Sequence, residues 1–283
     1  MSFSNIKLIA LDLDGTLLGA DGTVHPMERD TIQQARRAGV AVALATGRAV
    51  RDTLPYARAA GGVDWLITEN GARIQSMTGE ALYAHAMPAE TIALLLRLCR
   101  DYGVEPCFYG TELVWHGAIC RAFHDNMVKI TGRPLPIQLD HFRLVEKDAQ
   151  WDALTHETIY KAIVYGDAAD LDAWLDALAR TEQFTAEPSI FCGMKNIEIN
   201  LRGTDKGDSL LRLAEHLNLT REQVMACGDS DNDRAMIQDA GLGVAMANAP
   251  EHIKKAADVV TDTNVQHGVA QAVRKYALGE NLF

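Results

Sequence analysis

The sequence predicts an α/β protein whose core is a doubly wound parallel sheet and which carries an inserted, smaller α+β domain. Short apolar runs alternate with helical segments near both ends of the 283-residue chain, which is the pattern of a doubly wound sheet. Between these regions the rhythm changes to short strands mixed with helices. We therefore assign residues 1–83 and 191–283 to the core, and residues 84–190 to the inserted domain.

The first core region predicts alternating strands and helices followed by a hairpin. Its apolar runs are short and bounded by turn residues, and Gly39 stands where a glycine commonly ends a helix. The predicted elements are strand 8–11, helix 27–38, strand 40–45, helix 50–60, strand 64–68 and hairpin strands 73–75 and 81–83.

The insert and the second core region follow in order. In the insert we predict helices over 89–102 and 168–179, and strands over 105–109, 113–116, 159–165 and 184–187. In the second core region we predict strand 196–200, helix 205–216, strand 224–227, strand 243–246, helix 250–257 and strand 258–260.

The composition is that of an ordinary globular protein with an acidic balance. Apolar residues make up 48% of the chain, and 27 Lys and Arg against 38 Asp and Glu give a formal net charge of −11. This acidic balance disfavours an electrostatic nucleic-acid or anionic-membrane binder, which needs basic patches, so we expect neither partner. Five cysteines without CxxC spacing favour reduced thiols, and neither a signal peptide nor a membrane span of about 20 apolar residues is evident. We predict a cytoplasmic protein.

The most informative stretch is Asp12-Leu13-Asp14-Gly15-Thr16, which directly follows the first apolar run. In an extended chain Asp12 and Asp14 point to the same side, and ligands of open α/β sheets collect at the carboxyl ends of strands. Two carboxylates without a basic neighbour in sequence favour a divalent cation, because like charges at close range otherwise force one of them to protonate. A strand end capped by acidic turn residues is the alternative interpretation.

Other polar residues also follow predicted strands or begin helices: Thr46, Lys206 and the segment from Asp229 to Asp233. In a parallel sheet these positions converge on one edge. Asp229 and Asp233 are four residues apart, so a helix beginning here would place both carboxylates on one face, which again favours a cation. The oxygen-only donor set indicates a hard ion such as Mg²⁺.

An EF-hand calcium loop is the competing interpretation of the acidic segment, and it fails at two positions. Arg234 stands where that loop requires glycine, and Ala240 stands where it requires Glu. A Walker phosphate loop is also absent from the sequence.

Together these residues suit phosphoryl transfer. An aspartate carboxylate can attack phosphorus, and the remaining needs are charge neutralisation and positioning. With Asp12 as the nucleophile, Asp14 is left to act as general acid and base. Thr46 and Lys206 would then hold the oxygens of the transferring phosphoryl group.

The motifs and their order resemble those of the haloacid dehalogenase-like (HAD) hydrolase superfamily, and of its Cof-type branch in particular. The resemblance covers nearly the whole chain. The residues that carry it are Asp12-Leu13-Asp14-Gly15-Thr16, Thr46-Gly47-Arg48, Glu69-Asn70-Gly71-Ala72, Lys206, Gly228-Asp229-Ser230-Asp231-Asn232-Asp233 and Gly243-Val244-Ala245-Met246-Ala247-Asn248-Ala249. It implies a Rossmann-like core and an inserted cap domain that closes over the site.

The resemblance also implies a role for individual residues. Asp12 resembles the phosphorylated nucleophile and Asp14 the acid and base. A magnesium ion would be bound by Asp12, the backbone carbonyl of Asp14 and Asp229, with Asp233 as a supporting carboxylate. The implied phosphate-binding groups are the backbone amides of Leu13 and Gly47, the Thr46 hydroxyl, the Lys206 ammonium and the Asn232 amide.

The predicted function is therefore Mg²⁺-dependent hydrolysis of small phosphomonoesters, either sugar phosphates or phosphorylated cofactors, through an aspartyl-phosphate intermediate. A phosphomutase of the same superfamily and a catalytically silent sugar-phosphate-binding module are the alternatives. Arg48 either contacts the substrate or caps its helix, and the sequence does not decide between these roles.

Overall fold

The computed structural model describes residues 5–122, 141–146, 150–151, 154, 156–191 and 194–280. The chain divides into two compact units. Unit 1 comprises Met1–Ala84 with Asp205–Phe283, and unit 2 comprises His85–Thr204.

Both units contain strands and helices, and in unit 1 they alternate as the apolar runs predict. The strands, in chain order, are β1 (Leu8–Leu11), β2 (Ala41–Ala45), β3 (Trp65–Thr68), β4 (Arg73–Ser76), β5 (Ala81–Ala84), β6 (Glu105–Gly110), β7 (Val114–His116), β8 (Phe142–Leu144), β9 (Ile159–Tyr165), β10 (Phe184–Phe191), β11 (Met194–Leu201), β12 (Val224–Gly228), β13 (Leu242–Ala245) and β14 (Val259–Val260). The helices are α1 (Pro26–Arg37), α2 (Val50–Ala59), α3 (Ala89–Asp101), α4 (Ala168–Ala179), α5 (Lys206–His216), α6 (Arg234–Asp239), α7 (Glu251–Lys254) and α8 (Gly268–Ala272).

Unit 1 is built on an eight-stranded sheet in the order β14-β13-β12-β1-β2-β3-β4-β5. The strands from β14 to β3 are parallel, and β4 and β5 extend the sheet as an antiparallel hairpin. All four residues of β1 are buried, since apolar clusters cover both faces of the sheet. The α/β fold with a parallel, Rossmann-like core is thus confirmed, and β1 lies at its centre.

Helix α1 shows how local sequence sets an element's limits. His25 precedes it in an extended conformation and accepts a hydrogen bond from the backbone of Met27, and Pro26 occupies the first helical position. Gly39 follows the helix with a φ of +80°, a conformation that glycine adopts without steric cost. The predicted helix 27–38 is therefore displaced by a single residue.

Unit 2 contains a six-stranded sheet in the order β10-β11-β9-β6-β7-β8. Its strands pair antiparallel except for β7 with β8. Helices α3 and α4 supply Leu95 and Trp174 to a buried cluster that also contains Phe108 of β6 and Ile197 of β11. This is the mixed α+β architecture predicted for the insert.

The division between the units differs from the predicted boundaries mainly at its second position. The first division falls at 84/85, next to the predicted 83/84, whereas the second falls at 204/205 instead of 190/191. The reason is β11, which the sequence analysis assigns to the core but which pairs with β9 and β10. Its alternating pattern predicts a strand without indicating which sheet receives it.

Across the described ranges, no helix combines the length and the apolar character that a bilayer crossing requires.

Candidate active site

The carboxyl end of the central strand β1 leads directly into a tight turn over Leu13–Leu17. The backbone amide of Asp12 donates to the carbonyl of Cys227 in the neighbouring strand, at 3.0 Å, so Asp12 remains tied to the sheet. Gly15 has a φ of +86°, in the left-handed region that glycine tolerates best. The strand therefore ends with Asp12 at the sheet edge, and the chain reverses within a few residues.

Lys206 is the centre of a buried cluster of charges. It begins α5, and its Nζ donates to Asp12 Oδ1 at 2.7 Å and to Asp233 Oδ1 at 2.6 Å. All three side chains are buried. Burial alone lowers the pKa of Lys206, but the two carboxylates outweigh it and hold that pKa above its ordinary value. The ammonium is therefore charged at neutral pH.

Both carboxylate oxygens of Asp233 accept hydrogen bonds from neighbouring groups. While Oδ1 accepts from Lys206, Oδ2 accepts from the backbone amides of Asp229 and Ser230, at 2.9 and 3.0 Å, and from the Ser230 hydroxyl at 3.2 Å. This is a capping box at the short helical turn Asp231–Asp233. The arrangement fixes the loop that bears Asp229 and orients the Lys206 ammonium.

Asp229 faces the turn that follows β1. Its Oδ1 accepts from the Thr16 hydroxyl at 2.8 Å, and a Cβ atom at Gly15 would collide with its carboxylate. Burial raises the pKa of Asp229 to about 6, with the nearby Asp233 adding to the rise while the hydrogen bond from Thr16 opposes it. The close approach requires glycine at position 15, independently of the positive φ.

The site suits a divalent cation by its donor chemistry and its charge. One carboxylate oxygen from each of Asp12, Asp229 and Asp233 lies within 4.8 Å of the others. Burial and the carboxylate of Asp233 raise the pKa of Asp12 well above its ordinary value, against the opposing effect of Lys206. Burial and mutual repulsion disfavour the ionised form of these carboxyl groups, and a positive ion among them would stabilise it. Because the donor set contains only oxygen atoms, it fits a hard ion.

Asp14 points away from that buried cluster and pairs with Arg48. The guanidinium Nε donates to Asp14 Oδ2 and a terminal nitrogen donates to Oδ1, both at 2.7 Å. The guanidinium also lies 4.9 Å from the ring centre of Tyr56. A two-point contact of this kind fixes the direction of the carboxylate. Arg48 therefore contacts a predicted catalytic residue, which is neither of the two roles that the sequence analysis considers.

The residues predicted to bind phosphate occupy different surroundings. Leu13 and Thr46 are buried, and the Thr46 hydroxyl accepts from the backbone amide of Arg48 at 3.2 Å. The Asn232 amide donates to Asn70 Oδ1 at 3.1 Å, while its own oxygen accepts from the Ser230 hydroxyl. Gly47 lies between Thr46 and Arg48 in the loop that follows β2. These predicted phosphate contacts remain predictions.

Asn70 and Asn248 also lie at the site, although the sequence analysis assigns no role to either residue. Asn70 has a φ of +59°, adopts the left-handed conformation and receives the Asn232 amide. Asn248 donates to the Gly15 carbonyl at 2.8 Å and approaches Asp229 Oδ2 at 3.5 Å. The only sequence signal for either residue is its position after a predicted strand.

Comparisons with known proteins agree with this geometry. The family model of haloacid dehalogenase-like hydrolases matches residues 9–273. The chain is 32% identical to the 5-amino-6-(5-phospho-D-ribitylamino)uracil phosphatase YcsE of Bacillus subtilis strain 168, over 97% of each chain. It is 30% identical to an HMP-PP phosphatase of Yersinia pseudotuberculosis, over 88% of this chain and 86% of the relative.

A solved structure extends the agreement to the fold. A haloacid dehalogenase-like hydrolase from B. subtilis matches with a TM-score of 0.81 at 29% identity, covering 95% of this chain and 99% of that one. The predicted family, fold class and enzyme class are confirmed, and a divalent metal, general among phosphatases of this family, fits the aspartate cluster. The chain belongs to the haloacid dehalogenase-like hydrolases, in their Cof-type branch.

Proposed function

We propose that this chain is a Mg²⁺-dependent phosphatase that hydrolyses small phosphomonoesters through an aspartyl-phosphate on Asp12. The observation that carries the proposal is the buried contact between Lys206 and Asp12, beside Asp229 and Asp233. The Asp12 carboxylate supplies a nucleophile, and the buried Lys206 ammonium supplies a cation for the phosphate oxygens. These are the requirements of phosphoryl transfer, which depends on positioning and charge stabilisation.

In the proposed first step an oxygen of Asp12 attacks the phosphorus of the ester. Because Oδ1 is bound by Lys206, we assign the attack to Oδ2. The bond from phosphorus to the leaving oxygen breaks, and Asp14 donates a proton to that oxygen. Asp12 is left as an acyl phosphate, and Lys206 stabilises negative charge on the phosphoryl oxygens.

In the second step water hydrolyses the acyl phosphate. Asp14, now a carboxylate, accepts a proton from the water as the water oxygen attacks phosphorus. Inorganic phosphate leaves and Asp12 is restored. The two-point contact with Arg48 keeps the direction of the Asp14 carboxyl group fixed in both steps.

We assign the Mg²⁺ ion to Asp12, Asp229 and the backbone of Asp14, with Asp233 in support. When bound, the ion supplies positive charge toward the phosphoryl oxygens and offsets the repulsion among the carboxylates. Asp233 holds Lys206 and the Asp229 loop through both of its oxygens, so its contribution to metal binding is chiefly through the orientation of these partners.

The proposed substrates are small phosphorylated metabolites, either cofactor precursors or sugar phosphates. This rests on the relatives, one named for a phosphorylated ribitylaminouracil and another for HMP-PP. A useful panel therefore contains 5-amino-6-(5-phospho-D-ribitylamino)uracil, HMP-PP, flavin mononucleotide, pyridoxal phosphate and several hexose phosphates.

The test is release of inorganic phosphate from an aryl phosphate and from this panel, with Mg²⁺ and with excess EDTA. We expect release that depends on Mg²⁺ and is abolished in Asp12→Asn, which keeps the side-chain volume and removes the nucleophile. Asp30→Asn is the matched control, because Asp30 is exposed on α1 and pairs with its exposed neighbour Arg29. Its activity should equal that of the wild type.

Three outcomes would contradict the proposal. Substantial turnover by Asp12→Asn would remove Asp12 as the nucleophile. Conversion of a sugar phosphate to its isomer with little free phosphate would indicate a mutase, and absence of turnover across the panel with retained sugar-phosphate binding would indicate a silent binding module.

A further inference from the structure

Two asparagines that follow the neighbouring strands β13 and β14 contact each other. Asn248 lies shortly after β13, and Asn264 begins a helical turn after β14. The backbone amide of Asn264 donates to Asn248 Oδ1 at 3.1 Å. Since Oδ1 is thereby the acceptor, the amide group of Asn248 must present its Nδ2 on the opposite side.

Both asparagines donate to the turn that carries the candidate catalytic residues. Asn248 Nδ2 donates to the Gly15 carbonyl at 2.8 Å, and Asn264 Nδ2 donates to the Leu18 carbonyl at 2.7 Å. Gly15 interrupts the helical geometry of this turn with its positive φ. The direction of its carbonyl is therefore not set by a regular helix and depends on the donor that meets it.

Asn248 also reaches the loop on the other side of the site. Its Nδ2 lies 3.5 Å from Asp229 Oδ2, and the Thr16 hydroxyl donates to Asp229 Oδ1 at 2.8 Å. The Asp229 carboxylate thus has two donors beside it. One is the Thr16 hydroxyl, which belongs to the turn, and the other is Asn248 Nδ2, which also donates to the turn. Asn248 joins the two acidic segments at a single amide group.

We propose that Asn248 is a positioning residue that holds the turn after Asp12 and the Asp229 carboxylate at the spacing required for the metal, with the backbone amide of Asn264 orienting its side chain. The expected effect of Asn248 on turnover rests on the proposed function. Its main expected effect is on the affinity for Mg²⁺. Asn248 is exposed, so core packing does not explain its contacts. An aspartate at this position would place an oxygen against the Gly15 carbonyl and the Asp229 carboxylate, where only a donor is compatible.

The test compares Mg²⁺ binding by calorimetry, without substrate, in wild type, Asn248→Ala, Asn264→Ala and the double variant. Groups that orient metal ligands typically contribute about 10- to 100-fold in affinity or activity, and we expect a loss of about 10-fold for Asn248→Ala. Asn264→Ala keeps the backbone amide that donates to Asn248 Oδ1 and removes only the side-chain bond to the Leu18 carbonyl. Because the side chains of Asn248 and Asn264 hold carbonyls of the same turn, the double variant should lose less than the product of the two single losses. Asn5→Ala, exposed ahead of β1, is the control and should bind like the wild type.

Kinetics with an aryl phosphate supply a second readout. At saturating Mg²⁺ we expect kcat of Asn248→Ala to fall with little change in KM, because the substituted group holds the ligands and does not touch the substrate. A Kd for Mg²⁺ within twofold of the wild type would overturn the inference, as would a lowered melting temperature with unchanged Kd. A wild type that binds Mg²⁺ but releases no phosphate would count against the proposed function alone, and a wild type that binds no Mg²⁺ would overturn the inference.

Discussion

Replacing Lys206 with methionine tests the charge balance of the site. Methionine fills a similar volume without the ammonium, so Asp12 and Asp233 each lose a hydrogen-bonded cation in a place that water does not reach. Removing one partner of a buried ion pair typically costs about 3–5 kcal/mol, because the remaining charge is left without compensation. We expect Lys206→Met to lose free energy of unfolding in this range at pH 8 in EDTA.

The pH dependence of that loss identifies its cause. Without Lys206, the opposition that it offers to the raised pKa of Asp12 disappears, so this pKa rises further. A carboxyl group with a raised pKa in the folded state stabilises the fold below its unfolded pKa and loses that contribution as pH rises through the folded value. The destabilisation of the variant should therefore be smaller at pH 5 than at pH 8.

Hydrogen exchange suits the measurement, because it reports opening of β1 and β12 in unit 1 separately from unit 2. Lys254→Met is the matched control: Lys254 lies on α7 in the same unit, and its contact with Glu251 at 3.3 Å is a surface pair. Such pairs contribute about 0–1 kcal/mol. A loss below about 1 kcal/mol in Lys206→Met, or an equal loss at both pH values, would refute the reasoning.

Three further predictions concern single side chains in unit 1. Burial raises the pKa of Glu28 from 4.5 to about 7, against opposing effects from the backbone of Ala270 and from Arg274. The free energy of unfolding of the wild type should therefore fall by about 3 kcal/mol as pH rises through this window. Glu28→Gln should lack that slope in urea titrations between pH 4.5 and 8, and an unchanged slope would contradict the assignment. Arg48→Met removes the two-point contact with Asp14; because general acid–base catalysis contributes about 10²–10⁴-fold, kcat should fall by up to about 10²-fold, and an unaltered kcat would dismiss this role. Gly15→Ala places a methyl group against the Asp229 carboxylate in a backbone conformation with positive φ; calorimetry should show weakened Mg²⁺ binding, and a wild-type Kd would refute the steric argument.

The fold class and the position of the acidic motifs follow from the amino-acid sequence alone. Apolar runs of strand length, each followed by polar turn residues, predict both a parallel sheet and the edge where its ligands collect. That logic was sufficient to bring Asp12, Asp229 and Lys206 together, although Asp12 and Lys206 are 194 residues apart. The hydrophobic periodicity of the strands and the spacing of the acidic residues are local properties of the chain, so both are evident in the sequence.

Which side chains meet at that edge is evident only from the three-dimensional structure. The sequence does not reveal that Asp14 turns toward Arg48, that Asp233 uses both oxygens, or that Asn248 spans two acidic segments. It also leaves open which sheet receives β11. Each of these depends on side-chain direction or strand pairing between distant segments. Such contacts are set by packing of the whole unit, since a residue's own neighbours in sequence carry no information about them.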